Sequence, residues 1–266
     1  MQFATIHGAA LHHSHRPRGD GRPTLVFINS LGTDFRIWDA VAGDLGDTFS
    51  LLRYDKRGHG LSGLGTPPYS IAGHAADLAG LLDHLGLGEV VLCGLSIGGL
   101  IAQSLAATRP ARVRALVLCD TAHKIGTDAS WNQRIATVES EGIASVADGI
   151  LELWFTPALR TGSPALHAGC RNMLVRQLVP GYTGSCAAVR DADHTGLVGR
   201  IAAPTLVLVG DQDGSTPPPL VRSMADLIPG ARFEIIPGAG HIPCVEQPAA
   251  FVACLRRFLH EQGLLP

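Results

Sequence analysis

The sequence is poor in lysine: of its 21 basic residues, only Lys56 and Lys124 are lysines. Arginine stands in throughout, a compositional bias that carries no functional weight. Excess charge of either sign is also missing, since 21 basic and 23 acidic residues leave a formal charge of −2. That balance gives no electrostatic footprint for nucleic acid or for an anionic membrane surface. The opening residues Met1–His7 lack the basic region, apolar core and small-residue cleavage site of a secretion signal. The six cysteines (Cys93, Cys119, Cys170, Cys186, Cys244 and Cys254) contain no C-x-x-C pair, so neither a zinc site nor a disulfide framework is indicated. The expectation is a cytoplasmic chain with reduced thiols, in which Cys93 and Cys119 serve as small buried hydrophobes inside strands. The uncharged run Val90–Ala107 approaches membrane-spanning length, but Gly94, Ser96, Gly98, Gly99 and Gln103 within it argue against a span.

What is present describes a globular chain. A length of 266 residues with 46% hydrophobic and 17% charged residues can bury one substantial core, extended by an insertion rather than by a second independent domain. Residues 2–15 read as an antiparallel hairpin at a sheet edge, turning at Gly8-Ala9-Ala10, with His12, His13 and His15 on a solvated edge strand rather than around a metal. Gly19–Pro23 is a loop. Apolar runs at Thr24–Ile28, Ser50–Tyr54, Val90–Leu95 and Arg114–Cys119 read as buried strands, alternating with helical patterns at Phe35–Leu45, Ser70–Leu85 and the stretch after Ser96. This alternation predicts right-handed βαβ units, hence a mostly parallel sheet with helices on both faces. From Thr121 to His194 strand signals vanish. Short helices are expected there at Trp131–Glu141, Val146–Trp154, Pro164–Leu178 and Cys186–Asp193. The sheet pattern resumes at Thr205–Gly210, followed by a helix at Pro219–Ile228, a strand at Arg232–Ile236 and a last helix at Pro248–Gln262. The expected division is therefore a core of residues 1–120 and 195–266 interrupted by a helical cap at 121–194.

One stretch organises the chemistry. Val90–Leu95 runs into Gly94-x-Ser96-x-Gly98, the pattern of a sharp strand-to-helix turn that thrusts a serine hydroxyl above the sheet. Such a five-residue match is common by chance, and its value depends on partners. An acid follows the strand ending at Gly210, in Gly210-Asp211-Gln212-Asp213, and a histidine follows the last strand, in Pro237-Gly238-Ala239-Gly240-His241. Both fall at the C-terminal ends of expected parallel strands, where sheets of this class collect their sites. Ser96 is read as nucleophile, His241 as general base and acid, and Asp213 as the group that orients the imidazole. Asp211 and Asp120 stay open as alternative acids. His59, between Gly58 and Gly60, competes with His241, although its loop reads as structural, braced by an expected Asp55–Arg57 pair. The backbone N–H groups of Ile97 and Leu31 are the expected oxyanion donors.

Taken together, the serine turn, the loop Tyr54-Asp55-Lys56-Arg57-Gly58-His59-Gly60-Leu61-Ser62 and the Gly210–Asp213 and Gly238–His241 segments resemble the α/β-hydrolase superfamily. Within it the chain resembles the 3-oxoadipate enol-lactonases of the bacterial β-ketoadipate pathway. The residues carrying that likeness are Asn29-Ser30-Leu31-Gly32-Thr33-Asp34, where many relatives have His-Gly, and Gly94-Leu95-Ser96-Ile97-Gly98-Gly99. Cys119-Asp120-Thr121-Ala122, Lys124-Ile125-Gly126-Thr127, Trp131-Asn132-x-Arg134-Ile135 and Trp154-Phe155 add to it. The resemblance implies an α/β-hydrolase fold, hydrolysis of a small anionic lactone through a serine acyl-enzyme, and no metal or organic cofactor. Such a substrate carries a carboxylate. Arg134 is the candidate to hold it, with Trp131, one helical turn earlier, as an apolar wall, whereas Trp154 reads as cap packing. Competing expectations are another serine hydrolase on the same scaffold (a carboxylesterase, a carbon–carbon bond hydrolase or a perhydrolase) and a non-catalytic ligand receptor. The oligomeric state is not legible.

Overall fold

The computed structural model describes residues 1–19 and 21–265; Asp20, within the expected Gly19–Pro23 loop, and Pro266, at the end of the expected core, lie outside the described residues. In chain order the first half contains β1 (Gln2–Ile6), β2 (Ala9–Arg16), β3 (Thr24–Ile28), α1 (Asp39–Leu45), β4 (Leu51–Tyr54), α2 (Ile71–His84), β5 (Val90–Leu95), α3 (Ile97–Thr108) and β6 (Val113–Cys119). Six helices follow without a strand: α4 (Asp128–Glu141), α5 (Ala144–Trp154), α6 (Pro157–Gly162), α7 (Pro164–Val175), α8 (Val179–Arg190) and α9 (Thr195–Val198). The chain then forms β7 (Thr205–Gly210), α10 (Pro218–Ala225), β8 (Arg232–Ile236), α11 (Pro243–Glu246) and α12 (Pro248–Glu261).

The eight strands make one sheet in the order β1-β2-β4-β3-β5-β6-β7-β8. β1, β2 and β4 pair antiparallel, and every neighbour from β4 to β8 is parallel. Every residue of β3, β5 and β7 is buried, which is the burial of strands covered on both faces. α2 packs on α3, and α1 on α12. The run Val90–Ala107 is thus a central strand and the helix that follows it. Among the described residues no helix is long and apolar enough to cross a membrane.

Three local expectations are corrected. First, β2 is not an edge strand: it lies between β1 and β4, and His12 and His13 are buried. The His12 imidazole meets the Asp55 carboxylate at 2.8 Å, a partner far away in sequence. Second, Arg57 does not pair with Asp55 but makes a two-pronged ion pair with Asp77 of α2. Asp55 instead accepts the amides of Phe35 (2.8 Å) and Leu61 (3.0 Å). Third, α8 begins seven residues before the expected Cys186, because Pro180 sits in its first turn, where a missing N–H breaks no helical bond. Gly181 marks a close approach rather than a break; a Cβ there would lie 2.2 Å from the Gly58 carbonyl oxygen.

Candidate active site

Ser96 joins β5 to α3 with φ +58° and ψ −120°. A non-glycine residue held in so sparsely populated a region stores roughly 1–3 kcal/mol, which neighbouring bonds must offset. Here the Ser96 N–H donates to the Cys119 carbonyl at 3.0 Å, and the Thr121 hydroxyl donates to the Ser96 carbonyl at 2.7 Å. The flanking glycines are dictated by space. A Cβ on Gly94 would lie 2.3 Å from the Gly98 carbonyl oxygen, and one on Gly98 would lie 2.2 Å from that of Ile28.

His241 sits in the loop after β8, and its imidazole Nδ1 lies 2.9 and 3.0 Å from the two Asp213 carboxylate oxygens. Both side chains are buried. Asp213 also accepts the amides of Ser215 (2.7 Å) and Thr216 (2.9 Å) and the Thr216 hydroxyl (2.6 Å). Burial would raise the Asp213 carboxyl, but the His241 ring and these hydrogen bonds outweigh it and hold the group below the usual carboxylate range. With Nδ1 committed to Asp213, Nε2 is the ring nitrogen left for proton transfer. The His241 main chain is tied to the cap, because its N–H donates to the Trp154 carbonyl at 2.8 Å.

The other candidate residues separate cleanly. Asp211 is exposed, and its carboxylate accepts the Ala239 amide at 3.1 Å. Asp120 is buried beside Asp213, with one oxygen accepting the Gly210 amide at 2.8 Å and the other unpartnered. Burial first, and then the Asp213 charge, push the Asp120 carboxyl well up, which favours its neutral form. Asp120, Asp213 and His241 do bring ligand atoms within 4.8 Å of one another. As a metal site the group fits poorly, since the Asp213 oxygens are already taken by five hydrogen-bond contacts and burial favours the protonated form of Asp120. His59 is buried in the Asp55–Ser62 loop and does not line the Ser96 cavity.

Ser96 and His241 open onto a cavity of about 150 Å³. Ser30 and Leu31 form one side of it. Leu31 lies in the turn Ser30–Thr33, where Gly32 adopts φ +72° and a Cβ would meet Leu174 of the cap at 2.5 Å. The Leu31 amide has no acceptor among the described residues, and the Ile97 amide is the first of α3, without an intrahelical partner. The opposite wall comes from the cap: Trp131 and Arg134 of α4, Ile150, Leu153 and Trp154 of α5, and Tyr182 of α8. Trp154 therefore lines the cavity as well as packing the cap, contrary to its sequence reading. The Trp131 indole N–H donates to the Ile125 carbonyl at 2.7 Å, and the Arg134 guanidinium lies 4.9 Å over the Trp131 ring. Arg134 is half-buried, has no carboxylate partner among the described residues, and is the one Lys or Arg in the cavity wall. A larger groove of about 680 Å³, between α7 and the Asp34–Ile37 segment, shares no lining residue with this cavity and holds no serine.

Residues 25–254 match the model of the alpha/beta hydrolase family, which is most of the chain. The chain belongs to that family. Among its curated relatives is 3-oxoadipate enol-lactonase 2 of Acinetobacter baylyi, 34% identical over 258 residues that cover 96% of each chain. Among solved structures, the enol-lactonase from Burkholderia xenovorans superposes with a TM-score of 0.94 at 35% identity, covering 97% of this chain and 100% of that one. A thermophilic esterase from Thermogutta terrifontis, solved with malate bound, gives a TM-score of 0.92 at 28% identity and covers 98% and 99% of the two chains.

In this hydrolase several site residues carry no obvious sequence mark. Thr216 is legible in retrospect, because an aspartate commonly accepts the amides two and three residues ahead. Glu246 is not. Its carboxylate takes the Gly240 amide at 2.8 Å and the Thr156 amide at 3.0 Å, clamping the histidine loop to the start of α6. Tyr182 and Ser30 enter the cavity wall only through the packing of the cap over the sheet.

Proposed function

We propose that this protein hydrolyses a small anionic enol-lactone, of the kind represented by 3-oxoadipate enol-lactone, through an acyl-enzyme on Ser96. The observation that carries the anionic choice is Arg134, a cation that has no carboxylate partner among the described residues and stands in the wall of the cavity shared by Ser96 and His241. A guanidinium with no carboxylate partner among the described residues, in the wall of a cavity that also holds Ser96 and His241, favours a ligand that brings its own carboxylate. The cavity volume of about 150 Å³ suits a substrate of few atoms, below the usual roughly 300–1,000 Å³ of drug-sized sites. The family membership and the enol-lactonase relatives support the same reading.

In the mechanism, the Ser96 hydroxyl gives its proton to His241 Nε2 as its oxygen attacks the lactone carbonyl. Asp213 keeps the imidazole in the tautomer that can accept that proton and stabilises the imidazolium. The tetrahedral oxyanion is held by the Leu31 and Ile97 amides, each such donor contributing about 3 kcal/mol in the transition state. Collapse breaks the ring C–O bond as the His241 imidazolium returns its proton to the departing ring oxygen; the oxygen leaves as an enol, a better leaving group than an alkoxide, and ketonisation of that enol makes ring opening hard to reverse. His241 then activates water to release the acid from Ser96.

The test follows the ultraviolet loss of the enol-lactone beside neutral esters of similar size. A kcat/KM at least tenfold higher for the lactone is expected. Equal rates on both would show a general carboxylesterase, and no turnover by a folded protein would favour a ligand receptor.

A further inference from the structure

The loop Asp55–Ser62 reads in the sequence as scaffold, yet two of its side chains end on the turn that carries Leu31. Lys56 is fully buried and makes no ion pair among the described residues; its ammonium donates to the Ser30 carbonyl at 2.6 Å and lies 3.4 Å from that of Asn29. His59 is buried alongside, and its Nε2 accepts the Gly32 amide at 3.1 Å. Each contact falls on a peptide group that adjoins Leu31. The Ser30 carbonyl shares a plane with the Leu31 N–H, and the Gly32 N–H shares a plane with the Leu31 carbonyl. In a planar trans peptide the C=O and N–H point in opposite directions. Lys56 does not line the cavity that Ser30 and Leu31 border, so drawing the Ser30 oxygen onto Lys56 turns the Leu31 N–H away from Lys56.

We propose that Lys56 and His59 are positioning residues that lock the two peptide planes around Leu31, so that its N–H is aimed at the oxyanion before substrate arrives. The proposal rests on the reading of Leu31 as an oxyanion donor. The Ser30 carbonyl also accepts the Thr33 hydroxyl (2.9 Å) and the Thr33 amide (3.4 Å). Those bonds lie within the turn and would rotate with it. Lys56 and His59 come from a different segment, just beyond β4, and tie the turn to the sheet. Burying an ammonium on carbonyl groups alone is costly, which is unexpected of a group with no task. Burial pushes Lys56 down to about 7 against the opposing pull of Asp55 and Asp34. Burial, and then the Lys56 charge, also hold His59 well below its usual range, so its Nε2 keeps the lone pair that accepts the Gly32 amide.

The test compares wild type with Lys56→Met, which keeps the apolar stem and removes the donor, on a neutral nitrophenyl ester. The expected result is a kcat lowered about 10- to 100-fold, the scale of a misaimed oxyanion donor, with KM within twofold. Affinity for an alkyl boronic acid, which builds a tetrahedral adduct on Ser96 with an oxygen in the oxyanion position, should fall in the same proportion. A folded Lys56→Met enzyme with wild-type kcat overturns the proposal, as does a kcat loss without a matching loss of boronic-acid affinity. Should that variant not fold, His59→Leu and His59→Gln decide: loss in the first and recovery in the second support the clamp, and equal behaviour overturns it. Wild-type turnover abolished by Ser96→Ala stands separately for the hydrolase reading, so failure of the clamp leaves that reading intact, whereas an inert wild type overturns both.

Discussion

Replacing Arg134 by methionine should change which acyl group this hydrolase prefers far more than how fast it works. The guanidinium lies over the Trp131 ring in the wall of the Ser96 cavity and has no carboxylate partner among the described residues. A charge-assisted hydrogen bond to a bound carboxylate is worth about 1.5–3 kcal/mol. Arg134 is only half-buried, so screening by water reduces that to about 1.5–2 kcal/mol. At about 1.4 kcal/mol per factor of ten, this is a roughly 10- to 30-fold effect. Methionine retains an apolar stem against Trp131, so cap packing should survive. The assay uses two nitrophenyl esters of equal acyl length, one ending in a methyl group and one in a carboxylate. The ratio of kcat/KM, anionic over neutral, should drop by that 10- to 30-fold factor, and Arg134→Lys should fall between, because it keeps the charge but loses the planar fork. If the ratio moves less than about threefold while both rates fall together, Arg134 supports the cap rather than the substrate, and the case for an anionic lactone loses its main support.

Three further outcomes follow from the geometry. Asp213→Asn should lower kcat by about 10⁴-fold, because an amide no longer fixes the His241 tautomer, whereas Asp211→Asn should change it less than threefold; steady-state kinetics on one ester separates the two acids. Asp120 has a folded-state pKa raised above the unfolded value, so its contribution to stability is present at acid pH and lost as pH rises above about 4. Asp120→Asn should therefore gain in melting temperature relative to wild type between pH 4 and pH 8, and a pH-independent difference would contradict a neutral Asp120. Gly98→Ala must move backbone, since its Cβ would lie 2.2 Å from the Ile28 oxygen; a melting temperature and kcat within error of wild type would refute the steric account of the serine turn.

The short helices α6, α9 and α11 were not legible in the residues, whereas the order of the strands, the longer helices between them, the turn at Ser96 and the positions of Asp213 and His241 after β7 and β8 were. Each rests on local physics: apolar runs make buried strands, and a turn with no room for a Cβ demands glycine two residues either side of the serine. Choosing Asp213 among three acids was a preference in the sequence. Tertiary structure separates them by environment, with one carboxylate on the His241 ring, one exposed on the Ala239 amide, and one buried and neutral. The pairing errors have one cause. Asp55 and Arg57 are two residues apart, and only the packing of β2 and α2 around their loop delivers His12 to the first and Asp77 to the second. Likewise no spacing in the chain shows that Trp154 and Tyr182 face Ser96, that Glu246 clamps the histidine loop, or that Lys56 ends on the Ser30 carbonyl. Periodicity and turn chemistry are properties of neighbours along the chain. Which side chain reaches which peptide group across the sheet and cap is decided by distance in space, and that is set only when the whole core closes.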